Sequence, residues 1–396
     1  MNTHLELLNR TLSLHRYPAK HQHVSLQAWD SADELAIEYL HDHFDNQSGD
    51  NLGIFNDDFG ALGCWFADST PVWVSDSHIA HLSLAENLDA NGINTVTSDY
   101  RVSSPVMALP STSQLSTNFD WVVIKIPRTL ALLEHQLIQL RQHVSPNTKV
   151  IAAGKVKSIT KGVLALFEKY LGATKTSLAK KKSRLIFCTP DQDKLTQPVT
   201  SPYPTVWSTQ LPGGKSVSLV NHANVFSRQS LDIGARALLP HMQVSPHEHI
   251  VDLGCGNGVL GLHVLNIAPD CQVTFVDESY MALQSAKDSV LANFPDKIGQ
   301  CQFVASNCLE SLLSSDLATP VSKIFCNPPF HQQNAITDHI AWQMFNDSKT
   351  LLQKGGHLVV VGNRHLDYHI KVKRVFGGVK LLASDKKFVI LAAAKR

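Results

Sequence analysis

Short apolar runs alternate with amphipathic segments through the second half of the chain. Runs with the composition of buried strands lie at residues 249–253, 273–276, 302–304, 323–326 and 357–361. Residues 280–292 and 341–352 between them have the apolar spacing of helices. This alternation predicts a doubly wound α/β sheet with ligands bound at the carboxyl ends of its strands.

The first half of the chain repeats this plan in altered form. Residues 72–91 resemble residues 274–293, and the run 121–128 takes the place of 323–330. Where residues 254–258 read Gly-Cys-Gly-Asn-Gly, residues 56–60 of the first half read Asn-Asp-Asp-Phe-Gly. Opposite Asn-Pro-Pro-Phe at 327–330 we place Ile-Pro-Arg-Thr at 126–129. We therefore expect two tandem Rossmann-like α/β domains, the N-terminal one degenerate.

A polar segment divides the two halves. Residues 189–209 carry four prolines and no periodicity, which is typical of a linker. We predict domains at residues 1–195 and 196–396, a division that suits a chain of 396 residues of which 43% are hydrophobic.

Charge and cysteine content narrow the class of protein. The net charge is only +1, so affinity for nucleic acid would require local clustering of basic residues. The seven cysteines form no CxxC pair, which favours reduced thiols and no metal site. No apolar stretch approaches the length of a membrane span, so we expect a cytoplasmic protein.

Residues 251–258, Val-Asp-Leu-Gly-Cys-Gly-Asn-Gly, form a glycine-rich turn from a strand into a helix. Glycines there let a ligand approach the backbone, and the free N–H groups of the helix suit a carboxylate. The turn also matches the dinucleotide pattern, because Gly256, Gly258 and Gly261 are followed by Asp277 about 20 residues later. NAD and S-adenosylmethionine are both compatible with the glycines.

Further residues favour S-adenosylmethionine. A carboxylate at Asp277 or Glu278 can accept from ribose hydroxyls, and Asn307 can bond an adenine amino group. Asp277 is also a candidate helix cap, with Ser279 as its rival, and Asn307 a simple turn residue. The predicted cofactor-binding residues of this region are Asp252, Gly254, Cys255, Gly256, Asn257, Gly258, Asp277, Glu278 and Asn307.

The tetrapeptide at residues 327–330 follows a predicted strand. The amide oxygen of Asn327 and the carbonyl of Pro328 can both accept from an exocyclic amino group, and Phe330 can stack on the ring that carries it. We predict these three as catalytic residues of a methyltransferase. A loop with two prolines after a strand is also ordinary turn chemistry.

Taken together, these motifs and residues 222–234 resemble the bacterial ribosomal RNA guanine-N2 methyltransferases. Residues 26–33, 329–335 and 363–368 are similar to the large-subunit (23S) enzymes in particular, with the small-subunit (16S) enzymes as a sister family. The resemblance implies two tandem Rossmann-like methyltransferase domains and methylation of a guanine at N2 in 23S rRNA. Because the amino edge of the target base must be exposed, we expect a flipped-out base on protein-free or partly assembled RNA, and we expect a monomeric enzyme. It also implies RNA recognition by the N-terminal domain and a covering role for Phe226 and Asp232 over the cofactor. Asp232 is equally able to cap the helix predicted at residues 233–239.

Basic residues are dense between positions 155 and 184. This stretch predicts a phosphate-binding surface, with an ordinary solvated face as the alternative. The predicted RNA contacts are Lys155, Lys157, Lys180, Lys181, Lys182 and Arg184.

Other functions remain compatible with the residues alone. A DNA adenine-N6 or protein glutamine-N5 methyltransferase would use a similar loop, usually with Tyr in the last position. A non-catalytic RNA-binding protein and an NAD-dependent dehydrogenase are the alternatives from other classes.

Overall fold

The computed structural model describes residues 2–18, 26–45, 49–93, 95–96, 102–329 and 335–396. The chain forms two compact units, Met1–Ser201 and Pro202–Arg396. Each unit is built on a seven-stranded sheet.

The strands of the first unit are β1 (His4–Leu7), β2 (Arg10–Ser13), β3 (Leu52–Phe55), β4 (Val72–Ser75), β5 (Thr95–Val96), β6 (Val102–Ser103), β7 (Met107–Pro110), β8 (Trp121–Lys125), β9 (Lys149–Lys155), β10 (Gly172–Thr176) and β11 (Ser183–Pro190). Its α-helices are α1 (Ser31–His43), α2 (Ala61–Trp65), α3 (His78–Ala90), α4 (Leu130–Leu140), α5 (Lys161–Tyr170) and α6 (Gln192–Thr196).

The strands of the second unit are β12 (Thr205–Gln210), β13 (Ser216–Asn221), β14 (His249–Leu253), β15 (Gln272–Asp277), β16 (Cys301–Ala305), β17 (Val321–Cys326), β18 (Leu352–Asn363), β19 (Lys380–Ser384) and β20 (Phe388–Ala394). Its α-helices are α7 (Ile233–Leu238), α8 (Val259–Ile267), α9 (Tyr280–Asn293), α10 (Glu310–Leu313), α11 (Ala335–Leu351) and α12 (Tyr368–Phe376).

The two sheets have the same topology. Their strand orders are β7-β4-β3-β8-β9-β11-β10 and β16-β15-β14-β17-β18-β20-β19. In both, the first five strands in this order run parallel, and the sixth, β11 or β20, runs antiparallel to them. The edge strand, β10 or β19, pairs antiparallel with the sixth and so runs in the same direction as the first five. The prediction of a tandem repeat of Rossmann-like folds is therefore confirmed. The five predicted strands of the second half correspond to β14–β18.

The predicted linker at residues 189–209 is only partly irregular. Strand β11 ends at Pro190, α6 spans Gln192–Thr196, and β12 begins at Thr205. The polar composition misled the prediction because α6 is short and has no buried residue, and because β12 forms a two-stranded hairpin in which its residues alternate between half-buried and exposed.

A hydrogen-bonded clamp repeats in both units and ties a hairpin to a long helix. Asn91, which follows α3, accepts from the N–H of Ser13 at 2.8 Å and donates to its carbonyl at 2.8 Å. Asn293, at the end of α9, makes the same two bonds with Ser218, at 2.8 and 2.7 Å. The repeat therefore includes the hairpins that precede each sheet.

The core of the first unit contains a buried cation. The Nζ atom of Lys125, at the end of β8, lies 2.5 Å from Oδ1 of Asp33 and 3.5 Å from Oδ1 of Asp30. Burial raises the pKa of Asp33 to about 7 against the attraction of this ammonium. Burial also opposes the charge on Lys125, but Asp33 and Asp30 offset it and raise the Lys125 pKa above its usual range. The ammonium of Lys125 is therefore the counterion of these two carboxylates.

We expect Lys125→Met to destabilise the first unit by about 3–5 kcal/mol at pH 7, because it leaves buried carboxylates without their counterion. The loss should shrink at pH 5, where Asp33, with its raised pKa, is protonated and no longer needs a cation. Urea denaturation of the full chain at both pH values measures this.

Lys169→Met serves as the control, since the Lys169 side chain is largely exposed in its ion pair with Glu134 and its loss should change stability by under about 1 kcal/mol. Equal losses for both variants, or a loss at Lys125 that is independent of pH, would contradict this account.

Candidate active site

The glycine turn between β14 and α8 contains two kinds of glycine. A Cβ added to Gly258 would lie 2.9 Å from Ala286, and one on Gly261 would lie 2.1 Å from Phe275, so these glycines allow close packing. A Cβ on Gly256 would meet no atom within 4 Å, and one on Gly254 only the Asn327 carbonyl and Met344, both at 4.0 Å. Both glycines have positive φ, 71° for Gly254 and 52° for Gly256. Space beside the backbone is therefore available for a ligand at Gly254 and Gly256.

Asp277, at the end of β15, shapes this turn. Its Oδ2 accepts from the N–H of Gly256 at 3.0 Å, and its Oδ1 accepts from the N–H of Ser279 at 3.0 Å. Ser279 itself caps α9. The neighbouring Glu278 is exposed. Asp277 therefore lies beside the glycine turn, and its carboxylate also accepts from Ser279, the residue that caps α9.

Asp252 lies beneath the turn, near the end of β14. Its Oδ2 accepts from the N–H of Gly261 at 2.9 Å, whereas its buried Oδ1 has no partner among the described residues. Burial raises the pKa of Asp252 to about 8; the Gly261 bond opposes the shift and Asp277 adds to it. A cationic ligand group beside Oδ1 would stabilise the carboxylate.

Asn257 and Cys255 have structural positions within the turn. The Nδ2 of Asn257 donates to Oδ1 of Asn221 at 2.9 Å, which ties the turn to strand β13. The thiol of Cys255 is buried, and burial raises its pKa well above the usual range. Neither arrangement provides a nucleophile.

Asn307, after β16, is buried and already bonded. Its Nδ2 donates to Glu310 at 2.9 Å and to Gln343 at 3.4 Å. The predicted adenine-binding residue therefore lies at the sheet edge, with its side-chain amino group directed to protein acceptors.

Asn327 directly follows β17 and is held by one bond. Its Nδ2 donates to Oδ2 of Asp232 at 2.8 Å, and the same oxygen caps α7 by accepting from Ala235 at 2.9 Å. The buried Oδ1 of Asn327 has no partner among the described residues, an arrangement that ordinarily costs about 1–3 kcal/mol. Pro328 is buried beside it, and Phe330 lies outside the described residues.

Phe226 lies in the segment that leads to Asp232. Its side chain is 55% exposed. Trp207 donates to the carbonyl of Arg228 at 2.7 Å, and Arg228 donates to the carbonyl of Ala223 at 3.0 Å, so the segment has a defined course.

Sequence reasoning missed Asn363, at the end of β18. Its Oδ1 is also buried without a partner in the described chain. Asp252, Asn327 and Asn363 carry the only such side-chain oxygens among the described residues, and they lie at the ends of the adjacent strands β14, β17 and β18. A polar residue after a predicted buried strand was the signal that could have identified Asn363.

The first unit has different chemistry at the same places. In the first unit, β3 pairs with β8 in the register in which β14 pairs with β17, and one residue further this register makes Lys125 the counterpart of Asn327. The alignment of residues 121–128 with 323–330 is therefore correct, whereas the placement of Ile126 opposite Asn327 was wrong by one residue. The placement failed because an isolated apolar strand offers no internal mark of its register. Asn56, the counterpart of Gly254, keeps a positive φ of 61° and exchanges amide bonds with Gln136, both at 2.8 Å.

Several predicted RNA contacts make ion pairs within the first unit. The Nζ atom of Lys155 lies 3.3 Å from Oδ2 of Asp30. The Nζ atoms of Lys180 and Lys181 lie 2.5 Å from Oε2 of Glu38 and 2.6 Å from Oε2 of Glu34, respectively. Lys157 and Lys182 are exposed, and Arg184 is half-buried with an Nε that has no partner in the described chain.

In the described part of the chain, no group of three or more His, Cys, Asp or Glu side chains is arranged to hold a metal ion. None of the helices there is long and apolar enough to span a membrane.

Both units match known protein families. Residues 2–192 match the RLMG N-terminal domain, and residues 216–392 match the methyltransferase small domain. The protein of Alteromonas mediterranea named ribosomal RNA large subunit methyltransferase G is 61% identical, with 100% of both chains covered. The proteins of that name from Pseudoalteromonas atlantica and Aeromonas hydrophila are 54% and 47% identical over the same full coverage.

Among solved structures, a T. thermophilus 16S rRNA N2 methyltransferase in complex with AdoMet and guanosine has a TM-score of 0.74. The match covers 100% of this chain and 98% of that one at 19% identity, and it shows a shared fold. The full-length identities show more than the fold: the chain belongs to the ribosomal RNA large subunit methyltransferase G family.

Proposed function

We propose that this chain transfers a methyl group from S-adenosylmethionine to the exocyclic N2 amine of a guanine in 23S rRNA. The observation that carries the proposal is the buried, unpartnered Oδ1 of Asn327, which the bond to Asp232 holds at the carboxyl edge of the sheet. The large-subunit RNA follows from the curated relatives, and guanine N2 follows from the resemblance and from the guanosine-bound relative of the same fold.

The residues around the glycine turn fit S-adenosylmethionine. Gly254 and Gly256 border open space, and the unpartnered oxygen of Asp252 suits an ammonium group. We assign Asp277 and Glu278, at the end of β15, to the hydroxyls of the ribose. When bound, this cofactor supplies an electrophilic methyl group on a sulfonium.

Asn327 orients the acceptor amine. The N2 lone pair of guanine is delocalised into the ring, so the amine is a weak nucleophile. Hydrogen bonds from the amine to Oδ1 of Asn327 and to the Pro328 carbonyl would fix its direction and favour the positive charge that develops on nitrogen. Asp232 keeps the amide from rotating by accepting from Nδ2. No general base is assigned, because the methylated nitrogen is acidic and loses its proton to water.

The target base must leave its stack to reach this edge, and an unpaired base does so at least cost. We therefore propose protein-free or partly assembled rRNA as the substrate. We also propose that the enzyme is a monomer and that it acts in the cytoplasm. We assign RNA recognition to the first unit, with exposed Lys157 and Lys182 as phosphate contacts.

The direct test is transfer of labelled methyl from S-adenosylmethionine to protein-free 23S rRNA, with 16S rRNA and DNA as parallel substrates. We expect N2-methylguanosine in 23S rRNA alone, identified by nucleoside analysis. Label in 16S rRNA would move the substrate to the other subunit, and label in DNA would contradict an RNA enzyme.

Asn327→Ala should lower kcat by about a hundredfold or more, because it removes an acceptor that acts on developing charge. Cofactor affinity, measured by calorimetry, should stay within a few-fold. Asn346→Ala is the matched control, since Asn346 is exposed and bonds only within α11. Retained turnover in Asn327→Ala would remove the amine-holding role.

Replacing Lys157 and Lys182 together by Gln should weaken RNA binding and reduce the slope of log K against log salt by about 1 to 2, as expected for two lost phosphate contacts. The double variant of the exposed Lys380 and Lys386 in the second unit is the control. If both double variants had the same slope as the unaltered protein, the predicted surface would be a solvated face.

A further inference from the structure

Asn363 is a buried amide without its ordinary structural role. The side chain is 8% exposed and stands at the N-cap of the short 3-10 turn Arg364–Leu366. An asparagine at that position usually accepts from a backbone N–H of the turn. Here the side chain makes no capping bond, and its Oδ1 is unpartnered in the described chain. The oxygen is therefore available to a donor from outside the protein.

Asn363 and Asn327 face the same side of the sheet. Cys326 lies opposite Val360 in the parallel pair, so Asn327 continues opposite Val361 and Asn363 follows two residues later. Because side chains alternate with a period of two, both asparagines project from one face. The spacing and rise of parallel strands put their Cα atoms about 8 Å apart.

The first unit shows that side chains from these two places converge. The pairing of Lys125 with Ala153 makes Lys155 the counterpart of Asn363. Lys125 and Lys155 both contact Asp30, at 3.5 and 3.3 Å. Asp30 caps α1 as Asp232 caps α7.

The strand order separates Asn363 from the cofactor residues. The glycine turn and Asp277 follow β14 and β15, whereas β18 lies on the other side of β17. A donor at Asn363 therefore belongs to the group held by Asn327 and not to the cofactor.

We propose that Oδ1 of Asn363 accepts the N1–H of the target guanine and thereby selects guanine. This inference rests on the proposed function. Guanine presents N1–H directly beside its N2 amine, whereas adenine and 2-aminopurine present a lone pair at N1. That lone pair would face the oxygen of Asn363 without a hydrogen, and the buried acceptor would stay unsatisfied.

The experiment uses the 23S rRNA segment that accepts methyl in the transfer assay, assembled with guanine, 7-deazaguanine or 2-aminopurine at the target position. All three carry the N2 amine, but 2-aminopurine lacks N1–H. The unaltered protein should prefer guanine and 7-deazaguanine over 2-aminopurine by at least about tenfold in kcat/KM. Asn363→Leu should lower kcat/KM for guanine and leave that for 2-aminopurine nearly unchanged, so that the preference disappears.

Asn363→Asp keeps an acceptor oxygen and should retain the preference for guanine, which a purely structural role would not predict. Binding of S-adenosylhomocysteine should be the same in all variants, and Asn346→Leu should behave as the unaltered protein. Unchanged base preference in Asn363→Leu, with normal transfer by the unaltered protein, would overturn this inference alone. Absence of transfer to any guanine RNA by the unaltered protein would remove the proposed function and this inference together.

Discussion

The hydrogen bond from Asn327 to Asp232 is the interaction on which the site depends. An asparagine amide can rotate and present either its donor or its acceptor to a pocket. Because Asp232 accepts from Nδ2 while it caps α7, the acceptor Oδ1 is the end that remains for a ligand. The bond thus connects the start of one helix, the end of strand β17 and the polarity of the pocket.

The first unit shows what happens when this interaction changes. Lys125 takes the place of Asn327, and its ammonium pairs with the carboxylates of Asp30 and Asp33. A donor-only side chain leaves no acceptor for an amine, and Lys155 adds a second cation beside the same Asp30. Asn56 and Gln136 use their amide groups on each other. The first unit therefore has the same topology, but the polar side chains at these positions pair with other side chains of the unit.

The sequence was sufficient for the parallel strands and the glycine turn, because buried strands and glycine positions have local signatures. It did not separate Gly254 and Gly256, beside open space, from Gly258 and Gly261, which pack against other elements, since that difference arises from neighbours distant in sequence. The ion pairs of Lys180 and Lys181 with α1 were missed for the same reason. Strands β19 and β20, which complete the sheet beyond β18, were not among the predicted strands, although β20 is a largely buried apolar run between β18 and β19.

Unpaired buried oxygens are costly, and globular proteins contain few of them. Among the described residues, all three side-chain oxygens of this kind occur on one sheet edge, at the ends of adjacent strands. Asp252, Asn327 and Asn363 also face the same side, because Asp252 lies opposite Phe325, Asn327 follows two residues later, and Phe325 lies opposite Val359. An ammonium, an exocyclic amine and a ring N–H are three donors that such a series would satisfy. Chance would scatter the unpaired oxygens over the molecule, so their alignment is best explained by ligands that pair with all three.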